Sequence, residues 1–273
     1  MLCYNNNINI NMDITNSIIL GIVQGITEFL PISSTGHLIL VRNWLNMGDE
    51  NGLLFDAILQ LATSLAVLLY FRKDFYFILQ KIFSFFTRKK ENYSYLYALF
   101  YGTLPAVLLG LLLEKMIGGV FRDVRVIFIT LILGSLLFFI AEKYAKQNEN
   151  LNPKKGFLIG LFQSLALLPG MSRSGSTISG GLLLGLRREE ATRFSFILSF
   201  PIIFGSGLYK LLELLYSENV GSLGTPIIFG SIFSFIFGLL SVHYLLQILK
   251  KHTLNVFIVY RLLLAVVVAI VFL

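Results

Sequence analysis

The chain has 273 residues, 56% of them hydrophobic and only 14% charged, with a mean hydropathy of +0.77. Soluble domains carry about 25% charged residues, so this composition excludes a soluble globular protein and describes an all-α integral membrane protein. The net charge of +7 does not point to nucleic acid: the basic residues stand in short loops between apolar runs, where they suit membrane orientation and anionic head groups.

Residues 1–12 are rich in Asn and read as a disordered tail that holds Cys3, the single cysteine. One cysteine provides neither a disulfide framework nor a thiolate metal site. Either Met1 or Met12 serves as a start, since Met12-Asp-Ile-Thr-Asn leads straight into the first apolar run. That run, Ile18 to Pro31, has no small-residue cleavage site and is not a removable signal peptide. Gln24, Thr27 and Glu28 interrupt it, and Pro31 breaks it before Ser33-Ser34-Thr35-Gly36-His37. A second short run ends near Leu45. Two half-length helices meeting at a polar turn suit a re-entrant hairpin, which is tolerated at membrane depth where protein or water surrounds it.

Apolar runs follow at about 53–71, 96–113 and 126–141, and the opening pattern then returns. Gly21-Ile-Val-Gln24 resembles Gly160-Leu-Phe-Gln163, and Phe55-Asp-Ala-Ile-Leu59 resembles Phe194-Ser-Phe-Ile-Leu198; the matched glycines, glutamines and phenylalanines all lie 139 residues apart. A second hairpin near Pro169 precedes apolar runs at about 194–209, 226–248 and 256–273. The expected architecture is one membrane domain of six transmembrane helices and two re-entrant hairpins, in repeats over about 13–141 and 156–273.

Basic residues cluster at 72–91, 142–156 and 250–251, which places those loops in the cytoplasm. The 46–56 loop, with Asp49, Glu50 and Asp56, and the 210–225 loop belong outside. Arg187, Arg188 and Arg193, with Glu189 and Glu190, form a cytoplasmic edge that sets topology. The first hairpin then enters from outside and the second from inside, so the repeats are inverted and their broken helices meet near the midplane. Pro105, Pro201 and Pro226 are ordinary kinks in membrane helices.

The second hairpin carries Pro169-Gly-Met-Ser172-Arg173-Ser174-Gly175-Ser-Thr177. Ser172 or Ser174 can cap a new helix, whose first N–H groups converge with the serine hydroxyls and the Arg173 guanidinium. That is an anion site suited to phosphate. An arginine between apolar runs is a functional hypothesis by default. In the first hairpin, Gln24 and Glu28 share a helix face, and a buried carboxylate needs a cation or a proton. Ser34 and His37, three residues apart, form a nucleophile–base arrangement if a third group orients the ring; Glu28 can be that group, or can hold a divalent metal. Asp56 is a weak candidate for support or metal binding. His243 and His252 look interfacial.

The stretch Gln24-Gly-Ile-Thr-Glu28-Phe-Leu-Pro-Ile-Ser-Ser-Thr-Gly-His37, together with Leu168-Pro-Gly-Met-Ser-Arg-Ser-Gly-Ser-Thr177, closely resembles the undecaprenyl-diphosphatase family, also called the bacitracin-resistance protein family. The likeness runs from about residue 13 to the end. It implies hydrolysis of undecaprenyl diphosphate, a polyprenyl diphosphate lipid, to the monophosphate at the bacterial cytoplasmic (inner) membrane, which recycles the peptidoglycan lipid carrier. It also implies dependence on a divalent cation, Mg2+ or Ca2+, and a site facing the periplasm. By position, Glu28, Ser34, His37 and Arg173 match functional residues, with Glu28 also the metal ligand. Ser172, Ser174 and Thr177 match the phosphate loop, and Gln24, Ser33 and Gly175 complete the expected substrate contacts. The family carries Glu or Gln at the position of Gln24; here Gln offers an amide oxygen rather than a second carboxylate.

Either Ser34 or His37 serves as the nucleophile in this reading. The expected partners are lipids, with a homodimer allowed. The competing class is an inverted-repeat transporter or a lipid-phosphate flippase, in which Arg173 and Glu28 bind substrate and coupling ion and no bond is cleaved.

Overall fold

A computed structural model describes residues 13–47, 52–89, 91–113, 116, 123–216 and 220–273. The asparagine-rich tail with Cys3, the acidic pair Asp49 and Glu50, Lys90 and Glu218 lie outside the described residues. Among those described, regular structure is helical, with a single bridge between Glu149 and Leu186. Lipid imposes this, because a helix satisfies its backbone donors and acceptors internally. The helices are α1 Ile14–Phe29, α2 Ser34–Trp44, α3 Gly52–Tyr70, α4 Arg72–Phe86, α5 Ser94–Leu112, α6 Val124–Tyr144, α7 Pro153–Ser164, α8 Arg173–Leu183, α9 Arg188–Leu215, α10 Val220–Lys251 and α11 Asn255–Phe272. Six of them, α3, α5, α6, α9, α10 and α11, are long and apolar enough to cross a membrane. The chain is therefore a multi-pass membrane protein.

Two pairs are shorter. α1 has 16 residues and α7 has 12; at 1.5 Å per residue they reach about 24 and 18 Å, short of a hydrocarbon core of about 30 Å. Each ends at a turn that carries a proline and then reverses into an eleven-residue helix, α2 or α8. The reversals are built alike. Ser33 (φ 75°) caps α2 and accepts the Gly36 N–H, and Ser172 (φ 69°) caps α8 and accepts the Gly175 N–H, each at 3.3 Å. A positive φ is costly for a serine, and here the cap bond holds it. The two caps are 139 residues apart.

The hairpins pack crosswise: α1 lies along α10, α7 lies along α5, and α6 pairs with α11. Small residues permit the close approach. A side chain on Gly21 would run into the Gly230 backbone of α10, and one on Gly160 into the Gly102 backbone of α5. This is the packing lipid-embedded helices favour. Polar side chains are turned inward, among them Gln24, Glu28, Thr177, Ser195 and Ser199, while the outer faces of α6 and α11 are apolar and exposed.

One element departs from the sequence reading. Residues 72–86, expected as a basic loop, form α4, whose 3.6-residue apolar period was hidden beneath its lysines and arginines. The basic loops do gather at one end of the bundle. Arg193 Nε reaches Asp74 of α4 at 3.0 Å, Arg188 pairs with Glu142, and Glu142 also accepts the Leu254 N–H at 2.7 Å. Near α4, Lys81 donates to Glu91 at 2.6 Å, and that hydrogen bond holds the Glu91 carboxyl below its ordinary range.

Candidate active site

The two reversals touch. The Gly170 N–H donates to Ser33 Oγ at 3.1 Å, and the Ser174 hydroxyl to the Leu30 carbonyl at 3.3 Å. Gly170 has φ 97°, and a side chain there would collide with Thr130 Oγ1, so the turn requires glycine.

Where the turns meet, Glu28 is the hub. Its Oε2 accepts from Gln24 Nε2 at 2.8 Å and from the Ser34 hydroxyl at 2.7 Å, and its Oε1 accepts from Arg173 Nη2 at 2.6 Å. The Glu28 side chain is 5% exposed and that of Arg173 12%. Two helices 145 residues apart thus contribute one buried ion pair. A serine hydroxyl aimed at a fixed carboxylate has the geometry a nucleophile and its base require.

This differs from the Ser34–His37 arrangement expected above. The His37 Nδ1 sits 2.7 Å from the Ser33 carbonyl and its Nε2 2.7 Å from the Tyr260 hydroxyl, with the two rings stacked at 5.7 Å. A carbonyl only accepts, so Nδ1 carries a proton and Nε2 faces Tyr260. At the start of α2 the ring bonds back to the carbonyl four residues earlier, and Tyr260 takes its other nitrogen. Among the described residues no hydrogen bond joins His37 to Ser34, and Glu28 orients the serine rather than the histidine.

A cavity of about 190 Å³ opens on this cluster. Glu28, Ser33, Ser34, Ser172 and Arg173 form its polar end, and Ala106, Leu167, Ile202 and Ile203 its apolar wall. Gln24, Ser174, Gly175 and Thr177 are not among its lining residues, and Gln24 reaches the polar end through Glu28. Thr177 bonds back to the Arg173 carbonyl at 2.8 Å and to the Ser195 hydroxyl. Gly175 makes room for the Phe138 ring, which any side chain would strike. These residues shape the loop from behind. Ser172 is the cap of α8, the first of the two serines proposed for it.

Two buried atoms at the hub have no hydrogen-bond partner among the described residues: Arg173 Nη1 and Gln24 Oε1. The first is a spare donor for an anion and the second a spare oxygen for a cation. No cluster of three or more His, Cys, Asp or Glu side chains occurs among the described residues. A divalent ion here would take Glu28 and Gln24 and complete its shell with phosphate oxygens and water, the habit of Mg2+.

Sequence reasoning missed Arg261. It is fully buried in α11, stacks over the Phe138 ring at 4.8 Å, and donates through Nη2 to the Gly170 carbonyl at 2.9 Å and to the Thr130 and Leu131 carbonyls at 3.1 Å. It holds the same residue whose N–H bonds Ser33. The signal was available, a single arginine within the last apolar run. Arg42 was also passed over. It pairs with Asp56 through two hydrogen bonds, so the Asp56 carboxylate ties α2 to α3.

Arg261→Met, which keeps the bulk and removes the donors, is expected to lower the detergent melting temperature and to cut turnover about tenfold. Hydrogen bonds to a charged group are worth about 1.5–3 kcal/mol each. Unchanged melting and turnover would remove Arg261 from the support of the turn.

The family model for bacitracin resistance protein BacA matches residues 17–267. The chain is 43% identical over 252 residues to undecaprenyl-diphosphatase 1 of Corynebacterium jeikeium, covering 89% of each chain. It is 39% identical over 264 residues to the undecaprenyl-diphosphatase of Thermobifida fusca (94% of this chain, 89% of that one). To the undecaprenyl-diphosphatase of Elusimicrobium minutum it is 41% identical over 260 residues (95% and 98%).

Proposed function

Because the chain belongs to the bacitracin resistance protein BacA family, we propose that it is an undecaprenyl-diphosphate phosphatase of the bacterial cytoplasmic membrane, acting on the lipid carrier of cell-wall synthesis. The observation that carries this reading is the Ser34 hydroxyl donating to Glu28 while Arg173 arrives from the other hairpin, at the polar end of a cavity with an apolar wall. A diphosphate head suits the first end and the start of a prenyl chain the second.

Ser34 attacks the terminal phosphorus and gives its proton to Glu28. The bond to the bridging oxygen breaks, and undecaprenyl phosphate leaves with that oxygen. Glu28 passes that proton to the departing phosphate, then takes one from the water that attacks the phosphoserine, and returns it to the Ser34 oxygen as inorganic phosphate leaves. Arg173 supplies its spare Nη1 donor to the phosphoryl oxygens as charge shifts among them, and positioning and charge stabilisation carry most of such a reaction. Gln24 keeps the carboxylate turned toward Ser34. A Mg2+ or Ca2+ ion held by Glu28 and Gln24 would supply charge neutralisation to the diphosphate.

The repeats, about 13–141 and 156–273, are inverted in this reading. Matching caps 139 residues apart and crosswise packing of α1 on α10 and α7 on α5 support it. The basic end of the bundle is cytoplasmic. The cavity wall comes from Ala106, twelve residues into α5, and from Ile202 and Ile203, fourteen or more residues into α9. Both helices start at the basic end, so the wall lies roughly 18–22 Å from it, toward the periplasm. The short hairpins re-enter from opposite faces and meet between them. A transporter has little use for a serine fixed on a carboxylate.

The test is phosphate release by detergent-purified protein, where no gradient exists, from farnesyl and undecaprenyl diphosphates. Release is expected, lost on chelation and restored by Mg2+ or Ca2+. No release with either ion would overturn the reading, and full release in chelator would remove the metal from it.

A further inference from the structure

α4 has no buried residue, yet it is far from polar. Phe75, Ile78 and Ile82 turn toward the bundle, with Phe75 against Phe200 at 4.7 Å. A second apolar stripe runs along the side of the helix beside it. Tyr76, Leu79, Phe83 and Phe86, spaced three, four and three apart, are 64%, 63%, 69% and 77% exposed. The remaining arc carries Lys73, Gln80 and Ser84, and Lys81 reaches over the Phe77 ring at 5.4 Å. Arg72, Lys73, Arg88 and Lys89 are exposed at the two ends, and Asp74, the only acid within the helix, is occupied by Arg193.

The fold explains where this helix sits but not why its outer stripe is apolar. α4 joins two spanning helices, α3 and α5, so it lies at a membrane surface. Four large apolar side chains in water there would be unfavourable. Among the described residues the second half has no counterpart, since α9 runs on to Leu215 without a separate surface helix. An apolar stripe beside a basic arc is the pattern with which a peripheral helix lies in the head-group layer.

We propose that α4 is an in-plane anchor whose stripe of Tyr76, Leu79, Phe83 and Phe86 docks into the anionic phospholipid surface of the leaflet that carries the basic loops. Charge complementarity selects the occupant: basic residues flank the stripe at both ends, and clusters of this kind attract anionic head groups. The inference stands on the membrane fold and does not depend on the phosphatase reading.

The experiment uses the full chain with Cys3→Ser, reconstituted in phosphatidylcholine vesicles with and without phosphatidylglycerol. One single-cysteine version carries a bimane label at Phe83→Cys and another at Gln80→Cys. Nitroxide lipids labelled near the glycerol should quench the label at 83 strongly and the label at 80 weakly, while aqueous iodide should do the reverse. Head-group-labelled phosphatidylglycerol should quench position 83 about twofold more than labelled phosphatidylcholine, and Arg88→Glu/Lys89→Glu should abolish that excess. The melting temperature of this charge-reversed protein should match its parent's, the sign that it is folded. Iodide quenching equal at both positions would overturn the anchor, and equal quenching by the two labelled lipids would overturn the anionic preference. Exclusion of both iodide and lipid nitroxide, with bimane self-quenching that rises with protein density, would assign the stripe to a second copy of the chain and overturn the proposal.

Discussion

Arg173→Ala is expected to lose about two to three orders of magnitude in the rate of phosphate release. Removing one donor that stabilises developing charge costs about 10²–10³ in turnover, and Arg173 is the one guanidinium at the polar end of the cavity among the described residues. The change also strands Glu28, 5% exposed, without its cation, and breaking a buried pair costs about 3–5 kcal/mol. Stability and catalysis must therefore be separated. Arg173→Lys keeps the charge but loses the planar fork, so it should fold with a near-parental melting temperature and still fall well below parental turnover. The double variant Glu28→Gln/Arg173→Ala removes both charges, and it should recover stability without recovering activity. Near-parental phosphate release by either Arg173 single variant would take this arginine out of the mechanism.

Ser34→Ala is expected to abolish turnover, by at least roughly three orders of magnitude, with little effect on folding. The hydroxyl is partly exposed to the cavity, and its removal leaves Glu28 with Gln24 and Arg173 still in place. Rapid-quench labelling with terminally radiolabelled substrate decides the nucleophile. A phosphoserine survives acid and resists hydroxide poorly; a phosphohistidine behaves in the opposite way. Acid-stable label in the parent that vanishes in Ser34→Ala is the expected result. Label that persists in Ser34→Ala and is acid-labile would move the covalent step to His37. That outcome would require His37 Nε2 to leave Tyr260, while Nδ1 could keep its proton on the Ser33 carbonyl.

The fold was legible because lipid leaves few choices. Long apolar runs became spans, and Pro31 and Pro169 marked the reversals within three residues of Ser33 and Ser172. α4 was not legible, because its charges dominate a stretch whose apolar residues recur at helical spacing. Within the site, the meeting of Glu28 with Arg173 followed from two polar turns in one apolar chain. Which groups touch did not follow. Ser34 and His37 are three apart, and helical spacing alone favours their contact; the choice went instead to the carbonyl behind His37 and to Tyr260, 223 residues away. Arg261 was likewise beyond local spacing, since its partners Gly170 and Thr130 lie 91 and 131 residues from it. Contacts of that range belong to the tertiary arrangement, and a single sequence records them only as an unexplained charge in a greasy segment.

The crosswise packing of α1 on α10 bears on how the protein is made. Phe29 leaves the ribosome about 190 residues before the start of α10, which at 5–20 residues per second is roughly 10–40 s. Through that interval the nascent first hairpin lacks its helical partner, and Glu28 lacks Arg173 until α8 has been inserted. Newly synthesised halves must therefore wait in the insertion machinery or at the lipid border with a carboxylate still unmatched. Two fragments divided at the 145–152 connection and produced together should accordingly reassemble into a working molecule, whereas neither alone should persist.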